Sequence, residues 1–409
     1  MQKRRLKIIA ILLLTSLLSA TVTGCYDLKE VSDELYAIML GVDKGENNAI
    51  RLTVILPVYG GGGGGGEESE GGGSGSENKV YSLEAANVLE GLNNFNLLMS
   101  RKISLLHLKA VVFSEELARE GLLPHMTALQ EHIETRNAMG VMVVKGTAED
   151  SIKQSGKSSV GSLSKEVEML LFGDRYNSYF PMVIFEDFYN AMRSSYSQAS
   201  TIYSGFQMDK ENEEEGDAAN TLDSAVLGIA VFSGDKMIGS LNKYESAYYM
   251  MLRGEFKGGM MTFPEPEDSS RNMVIDIYSE KGPVIKTKEE GDNATLDIFL
   301  SFKGEIESIE GENNYESPEQ LKQLNEYFAG QIQKGIMETI QKTQQYGSDI
   351  FGFGGYVAGD FAKIQDWEEF SWTDRFRDAK VNVSVKFEIV KTGTQFVQRK
   401  RHGGVQRAS

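Results

Sequence analysis

Histidine, the side chain most used for proton transfer and metal binding, occurs four times in this chain: His107, His125, His132 and His402. His125 and His132 are seven apart, so a helix over Pro124 to Thr135 would put both on one face, with Glu131 beside the second. Zinc would need a third matched ligand, as in a His-Glu-x-x-His array, and the sequence has none. His107 stands at the head of an apolar run and reads as a structural histidine. Ser151 to Ser158 imitates the end of a phosphate-binding loop, but Ser151 replaces the first required glycine and Thr147 to Asp150 opens a helix. Gly352-Phe353-Gly354-Gly355 follows a helix, and the next glycine of a dinucleotide fingerprint would fall on Val357. No Gly-x-Ser-x-Gly elbow occurs, and acidic pairs such as Glu368-Glu369 read as surface charge. With no nucleophile, base and orienter in one neighbourhood, no catalytic residue, metal site or cofactor is assigned.

The remaining reactive group is the thiol of Cys25, the only cysteine. Lys3, Arg4, Arg5 and Lys7 precede a mostly apolar run, Ile8 to Ala20, and small residues lead to Val22-Thr23-Gly24-Cys25. A basic start, a short apolar run and a small-residue cleavage zone make a secretory signal over residues 1–24. The run is short of the roughly 20 apolar residues that cross a bilayer. The segment resembles a bacterial lipobox, with Val22 where leucine is usual. Its chemistry would be a diacylglyceryl thioether on Cys25, which becomes the mature N-terminus and can take an N-acyl chain. Two or more acyl chains, at about 0.8 kcal/mol per buried methylene, give stable anchoring where one is marginal.

Charge narrows the partners. The chain carries 42 basic and 59 acidic residues, a net of −17, and losing the signal makes it four charges more negative. That opposes nucleic-acid binding, and it leaves adhesion to an anionic membrane to the lipid. Apolar content of 41% supports ordinary cores.

The patterning then divides the chain. Leu35 to Val42 and Ile50 to Pro57 predict a hairpin. Residues 60–78 are a Gly-rich flexible insertion. A helix capped by Ser82 and running to Asn96 is expected next. A strand over His107 to Ser114, helices over Glu115 to Glu120 and Pro124 to Thr135, and a strand over Val141 to Lys145 should follow. Helices over Leu163 to Phe172 and Phe185 to Ser195 complete a mixed α/β N-terminal domain, 25–210. Residues 211–222 are an acidic linker. The C-terminal domain, 223–393, opens with a hairpin (Ala225 to Phe232, Lys236 to Leu241) and a helix from Lys243 ending at Arg253-Gly254. Four strands are expected over Met273 to Tyr278, Val284 to Lys288, Ala294 to Phe302 and Glu305 to Ile309. A long helix is opened by Ser317-Pro318-Glu319-Gln320, carries a stripe from Leu321 to Ile340 and stops at Gly347. With the alternating strand Val381 to Phe387, this makes a largely antiparallel sheet packed on a long helix. The fold class is therefore α+β and multi-domain. Residues 394–409 form a basic tail with Arg399, Lys400, Arg401 and Arg407, read as frayed and solvated.

Several runs together resemble the Ger(x)C lipoproteins, the C subunits of nutrient germinant receptors of spore-forming bacteria. They are Gly24-Cys25-Tyr26-Asp27, Leu40-Gly41-Val42-Asp43-Lys44 with Pro57, and His107-Leu108-Lys109 with Glu116-Leu117-Ala118 and Gly121. The second half adds Leu227 to Phe232, Asp235-Lys236, Gly239, Leu241, Glu245, Leu252-Arg253-Gly254, Asp349 to Gly354, Trp367, Trp372 and Lys391-Thr392-Gly393. Tyr26 (usually tryptophan), the Gly-rich insertion and the basic tail depart from the pattern. The resemblance implies a non-catalytic subunit, lipid-anchored at Cys25 on the outer face of the cell membrane or spore inner membrane. Its partners would be the integral-membrane A and B receptor subunits, with no cofactor. On this view the hairpin and the Asp349 to Tyr356 loop are structural, while the alternative makes Phe351-Gly352-Phe353 an exposed partner edge. A germinant-capturing lipoprotein and a lipid-anchored cell-wall enzyme are the other functional expectations. Two similar lobes would favour capture, and the halves read as unlike.

Overall fold

The computed structural model describes residues 34–46, 49–57, 78–157, 162–172, 178–205, 225–291, 293–310, 315 and 317–392, with positions 4, 5 and 7–9 near the start. Cys25, the Gly-rich insertion through Glu77, the acidic linker, the basic tail and His402 lie outside the described residues.

The first half contains β1 (Glu34–Tyr36), β2 (Met39–Lys44), β3 (Ile50–Leu56), β4 (Lys79–Ala85), α1 (Val88–Leu98), β5 (Lys102–Ser104) and β6 (Ala110–Ser114). It continues with α2 (Glu115–Glu120), α3 (Leu123–Glu131), β7 (Gly140–Val144), α4 (Ala148–Lys157), α5 (Leu163–Phe172), α6 (Phe185–Ala191) and β8 (Ser200–Gly205). The second half supplies β9 (Ala225–Ser233) and β10 (Lys236–Asn242), and the eight-stranded order is β10-β9-β8-β7-β6-β2-β3-β4. The central neighbours β2, β6, β7 and β8 pair in parallel, and antiparallel strands flank them. Parallel strands covered on both faces read as unbroken apolar runs; Ala110 to Ser114 and Gly140 to Val144 are buried at every position. Side chains from α1, α2, α3 and α6 cover one face (Phe95, Leu117, Met126, Phe188). Ile152 of α4 and Val167 of α5 cover the other.

Two expectations are corrected here. Ser82 does not cap a helix: it lies in β4, which pairs with β3 in the register Val54 to Tyr81, and its hydroxyl meets that of Thr53 at 3.0 Å. Asn87 caps α1 instead, accepting from the Glu90 amide. The strand expected from His107 begins only at Ala110, leaving His107 in the preceding turn.

The hairpin joins the two halves. β9–β10, expected inside the unit 223–393, is hydrogen-bonded into the sheet of the first half through β8. Strand alternation explains how one hairpin serves two units, since successive side chains point to opposite faces. Ala230, Phe232 and Met237 enter the first core, while Ile229, Val231 and Leu241 enter the second.

Beyond the hairpin come α7 (Lys243–Arg253), β11 (Gly258–Pro264), β12 (Asn272–Glu290), β13 (Asn293–Ile309), α8 (Pro318–Tyr346), α9 (Phe353–Val357), α10 (Ile364–Phe370), α11 (Trp372–Arg375) and β14 (Lys380–Thr392). The four expected strands after Met273 are two long ones with register shifts near 279–284, and β11 had no sequence expectation. Pro283 does not end β12 because β11 pairs only as far as Tyr278, leaving an open edge beyond it; proline is tolerated at edges and bulges. The order is β11-β12-β13-β14, antiparallel except for the β13–β14 pair. The sheet packs on α8, whose Ser317 capping box, Pro318 start and left-handed Gly347 stop are as the sequence dictates. Leu324, Phe328, Ile332, Ile336 and Ile340 of its stripe are buried, and Leu321 is half-buried. The fold is thus mixed α+β in two structural units.

Candidate functional site

The runs singled out by type and spacing serve mostly for packing, some inside the first unit and some at the seam between the two units. Asp43, buried at the end of β2, accepts from the amides of Ala148 (2.6 Å) and Glu149 (2.9 Å), so it caps α4 from another strand. Gly41 clears the way for that helix, because a Cβ there would meet Ile152 at 2.8 Å. Lys44 pairs with Glu116 and Glu120 across to α2. At the hairpin turn, the Asp235 carbonyl accepts from Leu122 (2.9 Å) and its carboxylate from the Leu123 amide (3.3 Å), tying the hairpin to the start of α3. A Cβ on Gly239 would strike the Tyr346 ring of α8 at 2.4 Å.

The seam is closed by hydrogen bonds between the halves. The Gln198 amide donates to the Asp349 carbonyl (2.7 Å), the Gly234 amide to the Gln198 side chain (2.6 Å) and the Ser348 hydroxyl to the Phe232 carbonyl (2.6 Å). Ser200 and Tyr249 join hydroxyls at 3.1 Å. Tyr196 stacks on Trp367 at 5.3 Å.

Asp349 is the buried hub. Its carboxylate accepts from the amides of Phe351, Gly352, Phe353 and Gly354 and from the Trp372 indole (2.8 Å). Burial pushes its pKa up, and the Trp372 and backbone donors act against that rise. The loop it organises turns Phe351 and Phe353 inward, 4% and 0% exposed, so the expectation of an exposed partner edge there is not met. Those rings stack on each other at 5.0 Å inside the second core.

Beside this hub the seam opens into a cleft of about 560 Å³. Met182, Asp187 and Ser194 line it from the first half; Tyr249, Arg253 and Glu255 line it from the second. Arg253 and Glu255 pair at 3.0 Å, with the guanidinium 6.0 Å from the Tyr249 ring. Burial pushes the Tyr249 phenol up, so it stays a neutral hydrogen-bonding group. Such a lining can hold a small polar molecule by a paired cation and anion, with hydroxyls to orient it. Sequence reasoning found Arg253 at the end of α7 and in the run Leu252-Arg253-Gly254 that carries the resemblance; nothing local marked it, Glu255 or Tyr249 as cleft-lining.

The candidate chemical residues are placed elsewhere. His107 is exposed, edge-on to Tyr36 with ring centres 4.3 Å apart. α3 stops at Glu131, so His132 leaves in extended backbone and does not share a helical face with His125. Burial lowers the pKa of both. Among the described residues no group of three His, Cys, Asp or Glu side chains could hold a metal ion, and no helix is long and apolar enough to cross a membrane. Ser151 is buried in α4, the helix that Thr147 to Asp150 was expected to open. Glu368 and Glu369 are exposed.

The comparisons with known proteins agree over most of the chain. Residues 27–203 match the family described as "Spore germination protein N-terminal domain", and residues 227–393 match "Spore germination B3/ GerAC like, C-terminal". Among curated relatives, spore germination protein GerQC of Bacillus cereus is 21% identical over 386 residues, covering 92% of this chain and 97% of the relative. Spore germination protein KC of Bacillus subtilis is 22% identical over 414 residues, covering 94% and 96%. The crystal structure of the GerBC protein superposes with a TM-score of 0.52 at 15% identity, over 86% of this chain and 96% of that one, a likeness of fold.

Proposed function

We propose a receptor-subunit role from one premise: the chain belongs to the Ger(x)C family of spore germination proteins. It acts as a lipoprotein subunit of a nutrient germinant receptor, anchored through Cys25 on the outer face of the spore inner membrane. There it works without catalysis beside two integral-membrane subunits. The observation that carries this is the end-to-end match to both family models behind a lipobox-like signal. Two physical features support it. One hairpin feeds both cores, which makes a body suited to holding partners in fixed relation. The acidic surface needs a lipid to stay on a membrane, and a shared membrane supplies the high effective concentration that weak subunit contacts require.

Deleting the gene in a strain lacking paralogous receptors tests it. Spores should form normally and fail to germinate with nutrients; a normal response to every nutrient would refute the role.

A second reading, capture of the germinant itself, is favoured by the cleft holding Arg253 and Glu255. Calorimetry of the purified protein with amino acids and sugars decides it. Sub-millimolar binding lost in Arg253→Ala would support capture, and no heat with any of them would exclude it.

A further inference from the structure

One end of the first half exposes large apolar side chains. Leu97 is 76% exposed, Leu98 74%, Leu106 45% and Ile133 96%. Single exposed apolar residues are ordinary, but a concentration of them marks a surface that meets something. Hydrogen bonds, an ion pair and a ring contact gather these four around the small parallel pair β1–β5. Asn96, beside Leu97, accepts from the Ile103 amide of β5 at 2.7 Å. Glu134, beside Ile133, accepts from the Leu105 amide at 3.1 Å and pairs with Lys102. Leu106 follows Leu105 directly, and His107 then packs on Tyr36 of β1.

The same pair of strands is where the tether arrives. Glu34, the first residue of β1, lies opposite Lys102, four residues after Leu98. Eight residues separate it from Cys25, a reach of at most about 30 Å when fully extended. A lipid on Cys25 therefore holds this end close to the bilayer. Charge does not prevent contact here. Arg101, Lys102 and Arg136 stand against Glu34, Glu131 and Glu134, close to balance, in a chain whose net charge is −17.

We propose that the Leu97, Leu98, Leu106 and Ile133 end of the first half docks into the lipid headgroup and acyl boundary. This fixes the orientation of the body on the bilayer. The inference rests on the lipid anchor at Cys25 proposed above. Shallow insertion of apolar side chains at an interface gains affinity in proportion to the apolar area buried, and a near-neutral surround makes it insensitive to lipid charge.

Cys25 is the sole cysteine and its sulfur is consumed by the thioether, so an introduced cysteine can be labelled alone. Leu98→Cys, Ile133→Cys and, in the second half, Ile364→Cys (59% exposed in the native chain) would carry a polarity-sensitive dye. The lipidated full chain would be placed on phosphatidylcholine vesicles, with and without phosphatidylglycerol. Docking predicts blue-shifted emission, quenched by lipids labelled near the headgroup, at positions 98 and 133 in both lipid mixtures. Position 364 should keep its water-like emission. Water-like emission at 98 and 133 on vesicles that carry the protein overturns docking while leaving the anchor intact. Protection of those two positions only after integral-membrane partners are added also overturns it, assigning the patch to a protein contact. Failure of the unlabelled lipidated preparation to float with vesicles refutes the anchor, and docking with it.

Discussion

Replacing Asp349 by alanine should loosen the second unit more than any surface change. Five donors, four backbone amides and the Trp372 indole, converge on its carboxylate. The side chain is 1% exposed, so water cannot replace them without opening the seam. Each buried donor left unmade costs about 1–3 kcal/mol, but the costs are not additive. Removing the carboxylate also relieves its own desolvation, which offsets part of the loss. The net expected is a destabilisation of about 3–5 kcal/mol, the range for stripping one partner from a buried charged network. Asp349→Asn keeps one accepting oxygen and should cost less, about 1.5–3 kcal/mol. Urea unfolding followed by tryptophan fluorescence measures this directly, because the chain has two tryptophans, Trp367 and Trp372, and the second bonds to Asp349. An alanine variant whose midpoint corresponds to a loss under about 1 kcal/mol would refute the hub.

Two further outcomes test other parts of the structure. Glu149 is held at about 2, chiefly by its hydrogen bond from Arg51, against an ordinary 4.5. Because the folded value is the lower one, this pair's contribution is present above about pH 4.5 and is lost as pH falls toward 2. Arg51 is 38% exposed, so Arg51→Met should cost only about 1–2 kcal/mol at neutral pH. It should also flatten the acid limb of a stability profile, and an unchanged limb would contradict the assignment. Gly228→Ala would place a Cβ 1.7 Å from the Leu241 carbonyl oxygen. Thermal unfolding should register about 2–4 kcal/mol of destabilisation, and none would argue against the β9–β10 geometry.

The sequence made the signals that bound α7 and α8 legible. Ser317-Pro318-Glu319-Gln320 and Gly347 bound α8 because caps are local chemistry, satisfied by residues a few positions apart. Lys243 to Gly254 was readable for the same reason. What escaped depends on partners distant in sequence. Lys79 to Ala85 is a strand because β3 stands beside it across the Gly-rich insertion, and periodicity over so short a run could not exclude a helix. Glu-Lys-Gly-Pro at 280–283 carries turn residues, yet an edge of β12 absorbs them. The hairpin's double role was present in the alternation of Ile229 and Val231 against Ala230 and Phe232, but an apolar run buried on both faces does not say which core owns which face. The cleft was invisible because it is a space between elements: Asp187 and Arg253 line it from different halves. Phe351 and Phe353 are core, as the structural reading of the loop expects, because Asp349 turns that loop inward.

The measurement that bears most directly on the proposed role is the nutrient response of spores carrying Cys25→Ala as their only copy, in a strain without paralogous receptors. A lipid-anchored receptor subunit predicts that such spores form normally, lose the protein from the inner-membrane fraction and fail to germinate with nutrients. Full germination by spores whose unlipidated chain has left the membrane would contradict it.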